Sequence, residues 1–171
     1  KPPRLASHAA WRDSTLIGHY SDFPRRFDKT PYGGYYTKYE IRSIVSFADS
    51  LNVQIIPEIE MPGHAQAAIS AYPELGCRKS VVPVASTWGI FDEIYCPTEQ
   101  TFTFLKEVLD EVIALFPGKY IHIGGDEAPK MNWKACGHCQ QLIARHQLQD
   151  ESGLQSWFIT QIEAYVNSKG R

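Results

Sequence analysis

Asp126 and Glu127 are adjacent carboxylates placed directly after Gly124-Gly125. Glycines at such a point let the backbone leave a strand sharply and approach a ligand closely. When two carboxyls are neighbours, ionisation of one favours the proton on the other, so the pair can hold an acid beside a charge. That arrangement suits general acid–base catalysis. It equally suits a plain helix N-terminus, where Asp and Glu are favoured, and spacing alone does not choose between the two. A second group of the same kind, Glu58, Glu60 and His64, lies upstream, and His122 precedes the glycines.

The elements around these residues alternate. Thr37 followed by Glu40 has capping-box spacing, and behind it Ile41, Ile44, Val45, Ala48 and Leu51 share one helical face, with Asn52 as a left-handed cap. Val53-Gln54-Ile55-Ile56-Pro57-Glu58-Ile59 is short and rich in β-branched residues, the pattern of a buried strand whose pairing ends near Pro57. The pattern repeats with a helical stripe from Phe102 through Leu105, Leu109, Val112 and Ile113 to Phe116. It stops at Pro117-Gly118 and is followed by Tyr120-Ile121-His122-Ile123 as a second strand. A last helix carries Leu154, Trp157, Phe158, Ile162, Tyr165 and Val166. Strands alternating with long helices predict parallel β/α units. Both acidic groups then sit just past the C-terminal ends of strands, the catalytic end of a β/α barrel. Two strands are too few for a parallel sheet covered on both faces, so the fold expected is an α/β slice of something larger. Residues 1–36 show no sustained period and are expected as one long N-terminal loop before the β/α units of 37–171.

Seventeen basic and nineteen acidic side chains leave a formal charge of −2, which offers no concentrated basic surface for nucleic acid or anionic lipid. The short clusters Arg25-Arg26 and Arg78-Lys79 read as solvated loops. No apolar run approaches the roughly 20 residues needed to span a bilayer. The chain opens on Lys1-Pro2-Pro3, with neither Met nor an apolar leader, as a stretch cut from a longer protein would.

Four ordered segments resemble the family 20 glycoside hydrolases, the β-N-acetylhexosaminidases: Gly33-Gly34-Tyr35-Tyr36-Thr37, Pro57-Glu58-Ile59-Glu60-Met61-Pro62-Gly63-His64-Ala65, Ala71-Tyr72-Pro73-Glu74-Leu75-Gly76-Cys77 and Ile123-Gly124-Gly125-Asp126-Glu127. The resemblance implies a partial (β/α)8 barrel, about two units around its third and fourth strands. It implies hydrolysis of terminal, non-reducing β-linked N-acetylhexosamine with retention, using the substrate's own acetamido group in place of an enzymic nucleophile. Glu127 would be the acid/base and Asp126 the carboxylate that orients the acetamido group. His64 would support Glu127, with Glu60, where many members have Asp, and His122 in supporting positions. Segments that family members use to line the sugar pocket fall outside these 171 residues. A non-catalytic piece that acts only by association with the rest of a barrel, or with itself, is therefore a competing expectation.

Cys136-Gly137-His138-Cys139 is a Cys-x-x-Cys motif, and Cys77 and Cys96 complete an even count that allows three pairings. A thiol–disulfide oxidoreductase would place the motif after a strand, yet Trp133-Lys134-Ala135 precedes it. A closed zinc site needs two more ligands, and Cys77 and Cys96 stand far off along the chain without a second such motif. His122, Asp126 and Glu127 make a poor metal set, since alternate strand positions face opposite ways. Beside the resemblance, the expectation is a structural disulfide within Cys136–Cys139, another joining Cys77 to Cys96, and no metal or organic cofactor. Paired cysteines and glycan substrates point to a secreted, periplasmic or lysosomal setting.

Overall fold

The structure, a computed structural model, describes residues 2–171. The stretch before Thr37 carries more order than its sequence suggests. A turn of π-helix, Leu5–Ala9, leads into four two-residue strands: β1 (Trp11–Arg12), β2 (Leu16–Ile17), β3 (Arg26–Phe27) and β4 (Tyr32–Gly33). They pair antiparallel as β1 with β4 and β2 with β3, folding the segment back on itself. The outer pair closes because Gly33 has no side chain. A Cβ there would meet the Ala10 carbonyl oxygen at 2.1 Å and the Trp11 Cα at 2.8 Å. Strands this short give no periodic signal, so the sequence conceals them.

Helix α1 (Lys38–Ser50) starts with the expected capping box. The Glu40 N–H donates to the Thr37 hydroxyl at 3.2 Å, and the Thr37 N–H donates to Glu40 Oε2 at 2.7 Å. Those two bonds satisfy donors that helix geometry leaves without partners. At its other end Asn52 has φ +57°, and the Val53 N–H donates back to the Ala48 carbonyl at 2.9 Å. The predicted apolar stripe is only half covered. Ile41, Val45 and Ala48 are partly buried, whereas Ile44 and Leu51 are exposed.

The two expected strands lie side by side and parallel, but they pair at one point. The Ile59 N–H donates to the His122 carbonyl and the His122 N–H donates to the Pro57 carbonyl, each at 2.9 Å. Glu58 and His122 are partners in that parallel bridge. The expectation of buried strands is corrected upstream, where Val53, Ile56 and Tyr120 are 57%, 51% and 60% exposed. Two causes act together: Pro57 offers no N–H, and a two-segment parallel pair has little to cover its faces.

Five further α-helices complete the order, with α2 (Gln66–Ala71) and a 3-10 turn (Pro73–Leu75) preceding α3 (Glu99–Leu115), and α4 (Met131–Ala135) and α5 (Gly137–Arg145) preceding α6 (Glu151–Ser168). The sequence reading missed α2, α4 and α5, which are too short to show a full apolar period. One core joins Met61, Ile69 and Leu75 to Leu105 and Leu109 of α3 and Phe158 and Ile162 of α6. A second holds Ile94, Cys96, Ala128, Trp133, Cys139, Leu142 and Leu154. Phe158 is fully buried, and its truncation to Ala would cost about 3–5 kcal/mol by the cavity it leaves. Because α3 and α6 share that core, they fix the second parallel segment and the glycine loop beyond it. Among the described residues no helix is long and apolar enough to cross a membrane.

Candidate active site

The loop Gly124-Gly125-Asp126-Glu127 turns in backbone conformations that side chains resist. Gly124 has φ +66° and Gly125 φ +102°, the left-handed region glycine tolerates. Space is equally short: a Cβ on Gly124 would stand 2.0 Å from Glu60 Oε2. Glu127 itself has φ +41°, a conformation a non-glycine residue holds only when its surroundings fix it.

Those surroundings come from three sides. On α6, the Gln155 amide donates to the Gly125 carbonyl at 2.6 Å, and Ile159 packs over Gly125. Lys130 donates to the Ala128 carbonyl at 2.8 Å and also holds Gln155. From the first acidic loop, Gly63 presses on the backbone, since a Cβ there would lie 3.0 Å from the Asp126 carbonyl oxygen and 3.1 Å from that of Glu127. Gln155, Lys130 and Gly63 are the supporting residues that sequence reasoning did not single out. Gln155 could have been noticed as a polar residue beside the apolar stripe of α6.

The loops meet where the predicted chemistry lies. His64 Nε2 is 3.1 Å from Glu127 Oε2, with both side chains open to solvent. His64 is also held at a left-handed φ of +51°, after the tight Pro62-Gly63 step. Glu60, His64 and Asp126 bring their ligating atoms within 4.8 Å of one another, and so do Glu58, Glu60 and His122. All five residues proposed from sequence therefore stand in one cluster. His122 serves the backbone: its Nδ1 accepts from the Gly124 N–H at 3.1 Å and lies 3.6 Å from Glu58 Oε1.

Glu60 carries the electrostatic strain of the cluster. Desolvation raises its pKa above the ordinary carboxyl value, helped by its contact with Glu58 and by the Asp126 charge, while His64 opposes the rise. Its Oε2 is buried under Gly124 without a hydrogen-bond partner among the described residues. A proton on that oxygen relieves the cost of burying a charge there. Asp126 and Glu127 point outward instead, exposed at the open end of the parallel pair.

The model of the glycosyl hydrolase family 20 catalytic domain matches residues 1–171. The chain belongs to glycosyl hydrolase family 20. A beta-hexosaminidase of Porphyromonas gingivalis is 46% identical over 145 residues, 84% of this chain and 19% of that protein. One of Vibrio furnissii is 36% identical over 173 residues, 99% of this chain and 28% of that protein. A solved beta-N-acetylhexosaminidase superposes with a TM-score of 0.89 at 33% identity, covering 99% of this chain and 34% of the other. An exo-beta-N-acetylglucosaminidase of Vibrio harveyi, solved with N-acetylglucosamine, gives a TM-score of 0.79 at 32% identity over 99% of this chain and 26% of its own. The chain thus spans between about a fifth and a third of the length of these relatives.

In this family 20 chain the cysteines depart from expectation. Cys77 and Cys96 do not stand apart from Cys136 and Cys139; all four are free thiols in one cluster. Neither predicted disulfide is present in the structure: the Gly76–Tyr95 bridge brings Cys77 and Cys96 onto the start of α5, and the short sulfur contacts there join Cys77 to Cys139 and Cys96 to Cys136 and Cys139. Thiol hydrogen bonds from Cys139 and Cys77 push the Cys96 pKa down toward the thiolate. An oxidoreductase needs an accessible attacking thiol. Cys136, the leading thiol of the motif, is in contact with Cys96 and follows helix α4, with no strand leading into it, which gives that reading no support.

Proposed function

We propose that the protein containing this chain removes terminal, non-reducing β-linked N-acetylhexosamine residues from glycans, with retention and with the substrate's acetamido group as nucleophile. The observation that carries the reading is the contact between His64 and Glu127 at the ends of two adjacent parallel segments, with Asp126 beside it. Glu127 protonates the leaving oxygen and then takes a proton from the incoming water. Asp126 accepts the acetamido N–H and stabilises the positive charge of the oxazolinium-like intermediate, where a fixed charge acts most strongly. His64 positions Glu127. Glu60 and His122 hold the loop from beneath.

In this reading the chain is an internal part of a (β/α)8 barrel, with 37–171 forming about two units near its third and fourth strands and 1–36 the long connection before them. The remainder of the barrel closes the sugar pocket, which excludes water and orients the acetamido group; loss of such positioning costs several kcal/mol of barrier. Glycan substrates favour an extracytoplasmic setting. That inference now rests on the substrate class, since the cysteines no longer argue for an oxidising compartment.

The test compares the whole protein with its Glu127→Gln variant on 4-nitrophenyl N-acetyl-β-glucosaminide and on a disaccharide with a sugar leaving group. The variant should lose about 10²–10⁴-fold on the disaccharide, and far less on the nitrophenyl substrate, whose leaving group needs little protonation. Equal losses on both would remove Glu127 from the acid role.

A further inference from the structure

Four sulfur atoms converge behind the loop that carries Asp126 and Glu127. Cys77 Sγ lies 3.6 Å from Cys139 Sγ, while Cys96 Sγ lies 3.9 Å from Cys139 Sγ and 4.0 Å from Cys136 Sγ. All four lie within 4.8 Å of one another. They arrive on three separate stretches of chain. Cys77 follows the Pro73–Leu75 turn, Cys96 follows the residue that bridges Gly76, and Cys136 and Cys139 open α5.

Two disulfides would sort four cysteines into two exclusive pairs. Here the sulfurs are shared instead: Cys96 contacts both residues of the Cys-x-x-Cys motif, and Cys139 contacts both Cys77 and Cys96. A tetrahedral zinc ion bound by four thiolates at about 2.3 Å has sulfur–sulfur edges of about 3.8 Å. The three contacts fall on either side of that edge length. Thiolates with no carboxylate or water among them also select a soft or borderline ion over calcium or magnesium.

We propose that Cys77, Cys96, Cys136 and Cys139 form a structural zinc site. Its shell is complete with four protein ligands, leaving no position for water or substrate, so the ion braces the fold and takes no part in hydrolysis. Each thiol still protonated before binding gives its proton to solvent as the Zn–S bond forms. The neighbouring contacts already hold the ligand-bearing segments in place. Trp133 Nε1 donates to the Tyr95 carbonyl at 3.0 Å, and His138 Nε2 lies 3.2 Å from the Pro97 carbonyl oxygen. Ala128, the residue after Glu127, is packed in the same buried cluster as Cys96, Trp133 and Cys139. The ion would therefore tie α4, α5 and the Glu127 loop to the segment between Cys77 and Cys96.

The test is elemental analysis of the whole protein, purified without a metal-affinity step, paired with intact mass and thiol titration under denaturing, chelating conditions. The expected result is about one zinc per chain, four titratable thiols, and a melting temperature that falls on chelation and returns with zinc. Cobalt substitution should give the sulfur-to-cobalt charge-transfer band of a tetrahedral tetrathiolate. Cys136 is half-buried, so Cys136→Ser should fold and bind zinc at least tenfold more weakly, whereas Cys136→His, which supplies an imidazole nitrogen, should restore much of the affinity. A mass lower by about four hydrogens, marking two disulfides, would overturn the proposal. Four free thiols that take up no zinc in titration would overturn it equally. Neither readout depends on whether the protein hydrolyses glycosides.

Discussion

Gly63 lies against the backbone carbonyls of both Asp126 and Glu127, so the first acidic loop sets the height of the second. The contact joins residues more than sixty positions apart and leaves no space for even a methyl group. Gly63→Ala should push the second loop outward by a few tenths of an ångström at a cost of about 1–3 kcal/mol in stability. Because small displacements at a reacting centre are amplified, kcat should fall by about tenfold to 10²-fold. Thermal melts and steady-state kinetics on the same preparation check both halves. Unchanged kcat in a folded variant would mean that Gly63 does not set the Glu127 position.

His64 reaches Glu127 at 3.1 Å through a side chain that stays partly in water. A hydrogen bond to a charged group contributes about 1.5–3 kcal/mol, and solvent screening favours the lower end. His64→Gln should therefore lower kcat by about tenfold, with KM little changed and a larger loss on poor leaving groups. A raised KM at unaltered kcat would instead assign His64 to sugar binding.

Glu60 is expected to make stability depend on pH. Its pKa is raised in the fold, so the folded state holds the proton more tightly than the unfolded chain does. The benefit is complete below the ordinary carboxyl range and is lost as pH climbs through the raised value. Glu60→Gln keeps the shape without the ionisation. The melting temperature of the variant should match that of the parent at low pH and exceed it increasingly toward neutrality. A constant difference across pH would place the ionisation of Glu60 outside the stability of the fold.

Much of the architecture was legible from periodicity and punctuation. Thr37 and Glu40 announced the start of α1, Pro117-Gly118 the end of α3, and the apolar stripe Leu154, Phe158, Ile162 and Val166 its buried face in α6. The glycine pair marked the turn into Asp126. What escaped notice lacked length or a local signature. Two-residue strands have no period to detect, and a helix of five or six residues has no full apolar face. The burial of segment 53–59 was overestimated because β-branched composition reports a preference for cover, while the cover itself must come from other parts of a fold. Among the candidate site residues, His64, Glu60 and Glu127, which the structure brings into one cluster, were singled out from motifs. The Gln155 bond to Gly125 was not, because no sequence pattern encodes which carbonyl a helix amide will find. The cysteines were misread for a related reason. Distance along the chain hid that the Gly76–Tyr95 bridge folds Cys77 and Cys96 onto α5.

The supports of the Gly124–Glu127 loop, namely Gln155, Lys130, Ile159 and Gly63, all act on its backbone, and none of them touches the exposed carboxylates of Asp126 and Glu127. If the proposed function holds, reaction chemistry and substrate choice fall to different parts of the protein. On the proposed reading, walls facing the carboxylates can exchange residues, lengthen or shorten to accept other sugars, while Glu127 and Asp126 stay at the same height and angle.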